Sequence, residues 1–78
     1  MDFDDLRTTL ATNLRARRKE LGLSQEGLAL DAEIDRTFVS QIERGIGNPS
    51  LRILFQLAVQ LDTEVTVLLE SPPKPKRR

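Results

Sequence analysis

The chain contains no cysteine, histidine, tryptophan or tyrosine. Without cysteine there is neither a disulfide framework nor a thiolate metal site. Small secreted domains usually depend on such staples, so the composition favours a reducing cytoplasm. Without histidine, the imidazole base and the usual zinc ligands are missing too. Paired carboxylates remain, but Asp4 and Asp5 read more simply as the start of a helix. No catalytic constellation, metal site or cofactor site is therefore expected, and the chain does not read as an enzyme. Nor is any apolar run long enough for a membrane span or a signal-peptide core. Aromatics are limited to three Phe.

A net charge is lacking as well, since 12 Lys and Arg face 12 Asp and Glu. That balance hides an asymmetry. Basic residues gather at Arg15, Arg17, Arg18 and Lys19, around residues 36–44, and at Lys74, Lys76, Arg77 and Arg78. Without the last four, the acids outnumber the bases. Any affinity for an anionic partner must then come from one face of the molecule rather than from bulk charge.

What is present suits one small helical domain. Seventy-eight residues allow a single core, and an apolar fraction of 38% is enough to fill it. Leu6, Leu10, Leu14 and Leu21 repeat at helical spacing over residues 1–21, with Phe3 one turn earlier. Acids at the start and bases at the end of this segment suit the helix dipole, and Gly22 is a natural stop. The basic run is either a solvated helix end or a phosphate contact. Ser24 is the expected N-cap of a second helix and Asp35 that of a third, with Asp31-Ala32-Glu33 as the turn and Ile34 plugging the core. Gly45 ends the third helix. After the loop 46–49, Ser50 caps a fourth helix running to about Leu61, with a core stripe of Leu51, Leu54, Leu57, Ala58 and Leu61. Phe55 and Val59 lie beside that stripe, surplus to a monomer's needs. For residues 62–70 a short helix from near Thr66 is favoured. Their β-branched content keeps open a strand shared between two copies. The Pro-rich basic segment 71–78 reads as a disordered tail.

The third segment, DRTFVSQIER, has two chemically different faces. At about 100° per residue, Arg36, Thr37, Ser40, Gln41 and Arg44 share one arc, and Phe38, Val39 and Ile42 lie opposite. Nothing on the polar arc is acidic. Such a helix suits a nucleic-acid groove: Arg can grip guanine and Gln adenine, each through two hydrogen bonds, while Thr offers a methyl group to thymine. Phe38 reads as the edge of the core, or else as a contact to sugar or a thymine methyl.

The segments LRARRKELGLSQEGLA, DRTFVSQIERG and NPSL, in this order and spacing, resemble the helix-turn-helix repressors of the phage repressor and Cro type, the Xre-like family. The resemblance covers about residues 14–69. It implies an all-α, compact five-helix repressor-like domain over 1–70, with its motif at about 24–44. It also implies a helix in the major groove and a homodimer on a palindromic operator. The expected DNA-contacting set is Ser24, Gln25, Arg36, Thr37, Ser40, Gln41 and Arg44. Arg36, Thr37 and Gln41 would read bases, Ser40 and Arg44 would meet phosphates, and Gln25 would meet phosphate and brace the recognition helix. Arg18 and Glu43 stand where the family has a structural ion pair. The start of the third helix also resembles the controller proteins of restriction–modification systems.

Some residues depart from the family pattern. Gly27 removes a capping box with Ser24. Glu33 stands where the turn favours Gly, so a positive φ there would be strained. The 46–49 loop carries no Arg or Lys, and Val67 replaces a polar residue. Phe55, Val59 and Val67 are therefore the expected dimer surface. The function expected is an autoregulatory, sequence-specific transcription regulator with no small-molecule effector. The alternative is an antitoxin or adaptor whose main partner is a protein, with DNA binding secondary.

Overall fold

Helix α1 (Phe3–Glu20) starts from a reciprocal cap, in which the Asp5 amide donates to Asp2 and the Asp2 amide to Asp5. The computed structural model describes residues 1–71 and continues with α2 (Gln25–Ala32), α3 (Arg36–Glu43), α4 (Leu51–Gln60) and α5 (Val65–Leu68). The described residues contain no strand, so the strand alternative for 62–70 falls. The short helix there begins at Val65, one residue before the expected start. The expected tail lies, apart from Ser71, outside the described residues.

Side-chain oxygens of Ser24, Asp35 and Ser50 accept the amides of Gly27, Thr37 and Ile53, which fixes the starts of α2, α3 and α4. The first four helices then end alike. One residue adopts a left-handed conformation and the next amide reaches back to a carbonyl five positions earlier, as in a Schellman motif. Gly22 and Gly45 fill that position at φ 70° and 76°, and Glu33 and Asp62 fill it at φ 60° and 53°. At the end of α2, Ile34 N donates to Ala29 O at 3.0 Å, and this bond swings the Ile34 side chain back onto the core. The turn is accordingly Glu33–Asp35. Asp31 and Ala32, expected within it, still belong to α2, and Ala32 is buried.

One core joins all five helices. Leu10 and Leu14 of α1 meet Leu28, Ala29 and Ala32 of α2, Val39 and Ile42 of α3, Leu54, Leu57 and Ala58 of α4, and Leu68 of α5. Burying each leucine contributes about 1.5–3 kcal/mol relative to leaving it in water. Leu51 is a correction to the expected core stripe, being 73% exposed. It lies four residues before Phe55 and eight before Val59, so it heads the outer apolar stripe instead.

Polar side chains of α1 and α4 tie up carbonyls that the helix ends leave free. Asn13 Nδ2 donates to Leu68 O at 2.9 Å and Glu70 O at 2.7 Å. Arg17 Nε donates to Leu61 O at 2.8 Å, and Gln56 Nε2 to Ala32 O at 2.8 Å.

Candidate nucleic-acid interface

Two inward residues set the orientation of α3. Val39 is fully buried and Ile42 nearly so, which turns Arg36, Thr37, Gln41 and Arg44 to solvent and leaves Ser40 half-buried. Phe38 is 44% exposed, so it sits at the rim between the core and the polar arc. The single acid of α3, Glu43, is turned inward and only 4% of its side chain is accessible. The outward arc therefore carries cations and neutral hydrogen-bonding groups.

Arg18 of α1 grips Glu43 with two bonds, Nε to Oε2 at 2.6 Å and Nη2 to Oε1 at 2.9 Å. Its Nη1 donates to Leu23 O at 2.8 Å. Gln25, the first residue of α2, adds a bond from Nε2 to Glu43 Oε1 at 3.0 Å. One carboxylate thus fastens α1, α2 and α3 together. Burial pushes the Glu43 carboxyl up, but the bonds from Arg18 and Gln25 and the charges of Arg18 and Arg15 outweigh it. The group lies below its ordinary value. The same hydrogen bond raises Arg18 against its burial.

At the other end of α3, Asp35 caps the helix through a 2.8 Å bond from the Thr37 amide. That amide, then the Thr37 side chain, hold the Asp35 carboxyl below its ordinary value, with a smaller contribution from the charge of Arg36. Ser24 accepts the Gly27 amide at 2.8 Å, and its hydroxyl proton remains available to an incoming acceptor. The Gln25 amide, with two protons, spends one on Glu43 and keeps the other. Ser24 and Gln25 thus stand at the start of α2, while Arg36, Thr37, Gln41 and Arg44 run along the outward side of α3 from its first turn to its C-cap.

The apolar set is divided differently. Leu51, Phe55 and Val65 line one groove, and Phe55, Val59 and Val65 line the hollow beside it. Val67 lines a separate hollow with Asn13 and Arg17 on the α1 side of α5. Val65 was not among the expected surface residues. Its signal was the i, i+2 pair of valines in a four-residue helix, where spacing alone does not say which one faces the neighbour.

Among the described residues there is no cluster of three or more His, Cys, Asp or Glu side chains able to hold a metal ion. None of the described helices is long and apolar enough to cross a membrane.

The helix-turn-helix family model HTH_3 matches residues 14–68. A hypothetical transcription factor of Neisseria meningitidis is 41% identical over 71 residues, which is 91% of this chain and 67% of that protein. The crystal structure of the Neisseria factor NHTF aligns with a TM-score of 0.84 at 40% identity, over 92% of this chain and 83% of that one. Control protein C.SmaI of Serratia marcescens is 40% identical over 67 residues, covering 86% of this chain and 80% of the relative. The restriction–modification controller C.Esp1396I, solved as a tetramer in complex with its natural 35 base-pair operator, aligns with a TM-score of 0.73 at 30% identity, over 81% of this chain and 83% of that chain.

Proposed function

Since the chain belongs to the HTH_3 helix-turn-helix family, we propose that it is a sequence-specific, dimeric transcription regulator that reads a palindromic operator in the major groove. The observation that carries this reading is the outward arc of α3, free of acids and held in place by the Arg18–Glu43–Gln25 lock. Arg36, Thr37 and Gln41 present donors, an acceptor and a methyl group to base edges. Ser24, Gln25, Ser40 and Arg44 flank them toward the phosphates. Arg18 and Glu43 act structurally.

A single copy offers little contact area. Two copies reading half-sites about 34 Å apart reach useful affinity. The exposed apolar residues Leu51, Phe55 and Val59, with the half-buried Val65 lining the same grooves, supply a surface for that pairing, and Val67 lies beside it on α5. Without an effector domain in residues 1–71, occupancy follows the protein's own concentration through dimerisation, which suits autoregulation. The similarity to C.SmaI and C.Esp1396I supports a controller role in a restriction–modification system. This reading assigns no catalysis and places the protein in the cytoplasm. Selecting bound duplexes from a random pool tests it: an inverted repeat with half-sites about one helical turn apart is expected. Recovery of no preferred sequence would count against it.

A further inference from the structure

The C-terminal end of α3 does not stop at open solvent. Arg44 shares an open hollow of about 260 Å³ with Thr8, Thr12 and Arg15 of α1, floored by Ala11 and Gly45. Thr8, Thr12, Arg15 and Arg44 are all exposed, and Ala11 is buried. Among the described residues, neither Arg15 nor Arg44 forms an ion pair; the paired arginines are Arg7, Arg17 and Arg18. Glu43 also borders the hollow, but its oxygens are occupied by Arg18 and Gln25. The hollow therefore holds two guanidiniums outside any ion pair and two hydroxyl groups, and the hydrogen bonds of the one carboxylate on its border go to Arg18 and Gln25. The spacing on α1 supports this: Thr8, Thr12 and Arg15 follow at intervals of four and three, on one face of the helix.

This donor set fits a phosphate group, with two guanidiniums to pair with its charge and hydroxyls able to donate to its oxygens. The hollow is also continuous with the polar arc, because Arg44 belongs to both. Arg36 and Arg44 are eight residues apart on the helix, about 12 Å at 1.5 Å per residue. A base contact near Arg36 and a backbone contact near Arg44 thus fall at separate points along one groove.

We propose that Thr12 and Arg15 of α1, together with Arg44, form a backbone-phosphate clamp at the far end of the recognition helix, outside the helix-turn-helix motif. The clamp rests on the DNA-binding reading above and adds to it a contact from α1. It carries no sequence information and lengthens the footprint of each half-site. It also offsets the neutral overall charge, because it concentrates two cations that form no ion pair where a phosphate would lie.

The test uses the full chain and the duplex recovered by selection. Arg15→Gln removes the charge at an exposed position, and an unchanged thermal transition verifies the fold. The expected result is a plot of log affinity against log salt that is shallower by about one unit, with several-fold weaker binding at low salt and an unchanged ranking of duplexes. Thr12→Glu, which puts a carboxylate into the hollow, should weaken binding further. In a second arm, single neutral methylphosphonate linkages are walked along the backbone. One position should weaken the unsubstituted protein and leave Arg15→Gln indifferent. An Arg15→Gln protein that keeps the parental slope and affinity would overturn the clamp alone. So would inorganic phosphate that perturbs the Arg15 and Arg44 NMR signals while the duplex does not, since the hollow would then serve a free anion. If the unsubstituted protein selects no duplex, the regulator reading itself fails and the clamp goes with it.

Discussion

Gln25 at the start of α2 and Glu43 at the end of α3 are joined by a 3.0 Å hydrogen bond, from Nε2 to Oε1. The glutamine is thus bound to the recognition helix from behind while one amide proton faces outward. Replacing it with glutamate puts a second carboxylate against Glu43 and leaves nothing to donate. Gln25→Glu should lower both the melting temperature and DNA affinity. Gln25→Ala should lose only about 1 kcal/mol of stability, the value of one hydrogen bond. Thermal melts and a binding titration separate the two. Equal melting temperatures for the variants would mean that the bond does not brace α3.

The Arg18–Glu43 pair predicts a pH signature. Glu43 titrates below its ordinary value in the folded protein. Its contribution is therefore fully present above the unfolded glutamate value of about 4.3 and disappears as the pH falls through the lower folded value. Breaking a buried pair from one side costs about 3–5 kcal/mol. Glu43→Gln should therefore be markedly less stable than the parent at neutral pH, and the gap should narrow below about pH 4. Urea unfolding across that range checks it. A gap that is constant with pH would separate the stability of the pair from its charge.

Arg36 lies on the first turn of α3 and is exposed. Arg36→Ala should cost about 1–3 kcal/mol in specific binding and relax the preference at one base pair in each half-site. Competition between matched and singly substituted duplexes reads this directly. If selectivity stays the same while affinity falls, the arginine serves a phosphate.

Phe55 is 60% exposed in the middle of the Leu51–Phe55–Val59 stripe. A charge there leaves the core untouched and cannot be desolvated cheaply at an apolar interface. Phe55→Glu should sediment as a monomer with little change in the melting temperature of the isolated fold, and should bind the operator far more weakly. A dimer that persists would place the interface elsewhere.

Glu33 caps α2 at φ 60°, ψ 43°. A non-glycine residue pays about 1–2 kcal/mol there, part of which glycine gives back through its freer unfolded chain. Glu33→Gly should raise stability by about 0.5–1 kcal/mol and the melting temperature by several degrees. Calorimetry on the pair would show it, and a lower transition for the glycine variant would reveal a role for the glutamate side chain.

The sequence made the helix starts legible because a cap is a local event: Ser24, Asp35 and Ser50 need only the next turn to find their partners. The polar arc of α3 was legible for the same reason, since its periodicity lies within nine residues. Leu51 was misassigned because the core stripe and the outer stripe of α4 are both apolar, and their boundary depends on where α2 and α5 stop. The partners of Asn13, Arg17 and Gln56 are backbone carbonyls 24 to 57 positions away. Any asparagine, arginine or glutamine on a helix surface looks the same until the chain has folded. Asp2 and Asp5 were read through the helix dipole alone, although their spacing of three also fits the reciprocal cap that forms.

Arg17 and Arg18 are neighbours on α1, and they reach in opposite directions. Arg17 holds the end of α4, the helix that carries the exposed apolar stripe. Arg18 holds the end of α3, the helix that meets the groove. On the pairing proposed above, one helical segment thereby acts as a ruler, setting the distance and the angle from one copy's reading head to its partner's. Adding a base pair between half-sites moves them apart by about 3.4 Å and turns one relative to the other, and a ruler of packed helix has no loop with which to follow. On that pairing, the phase of the operator is written into two adjacent arginines.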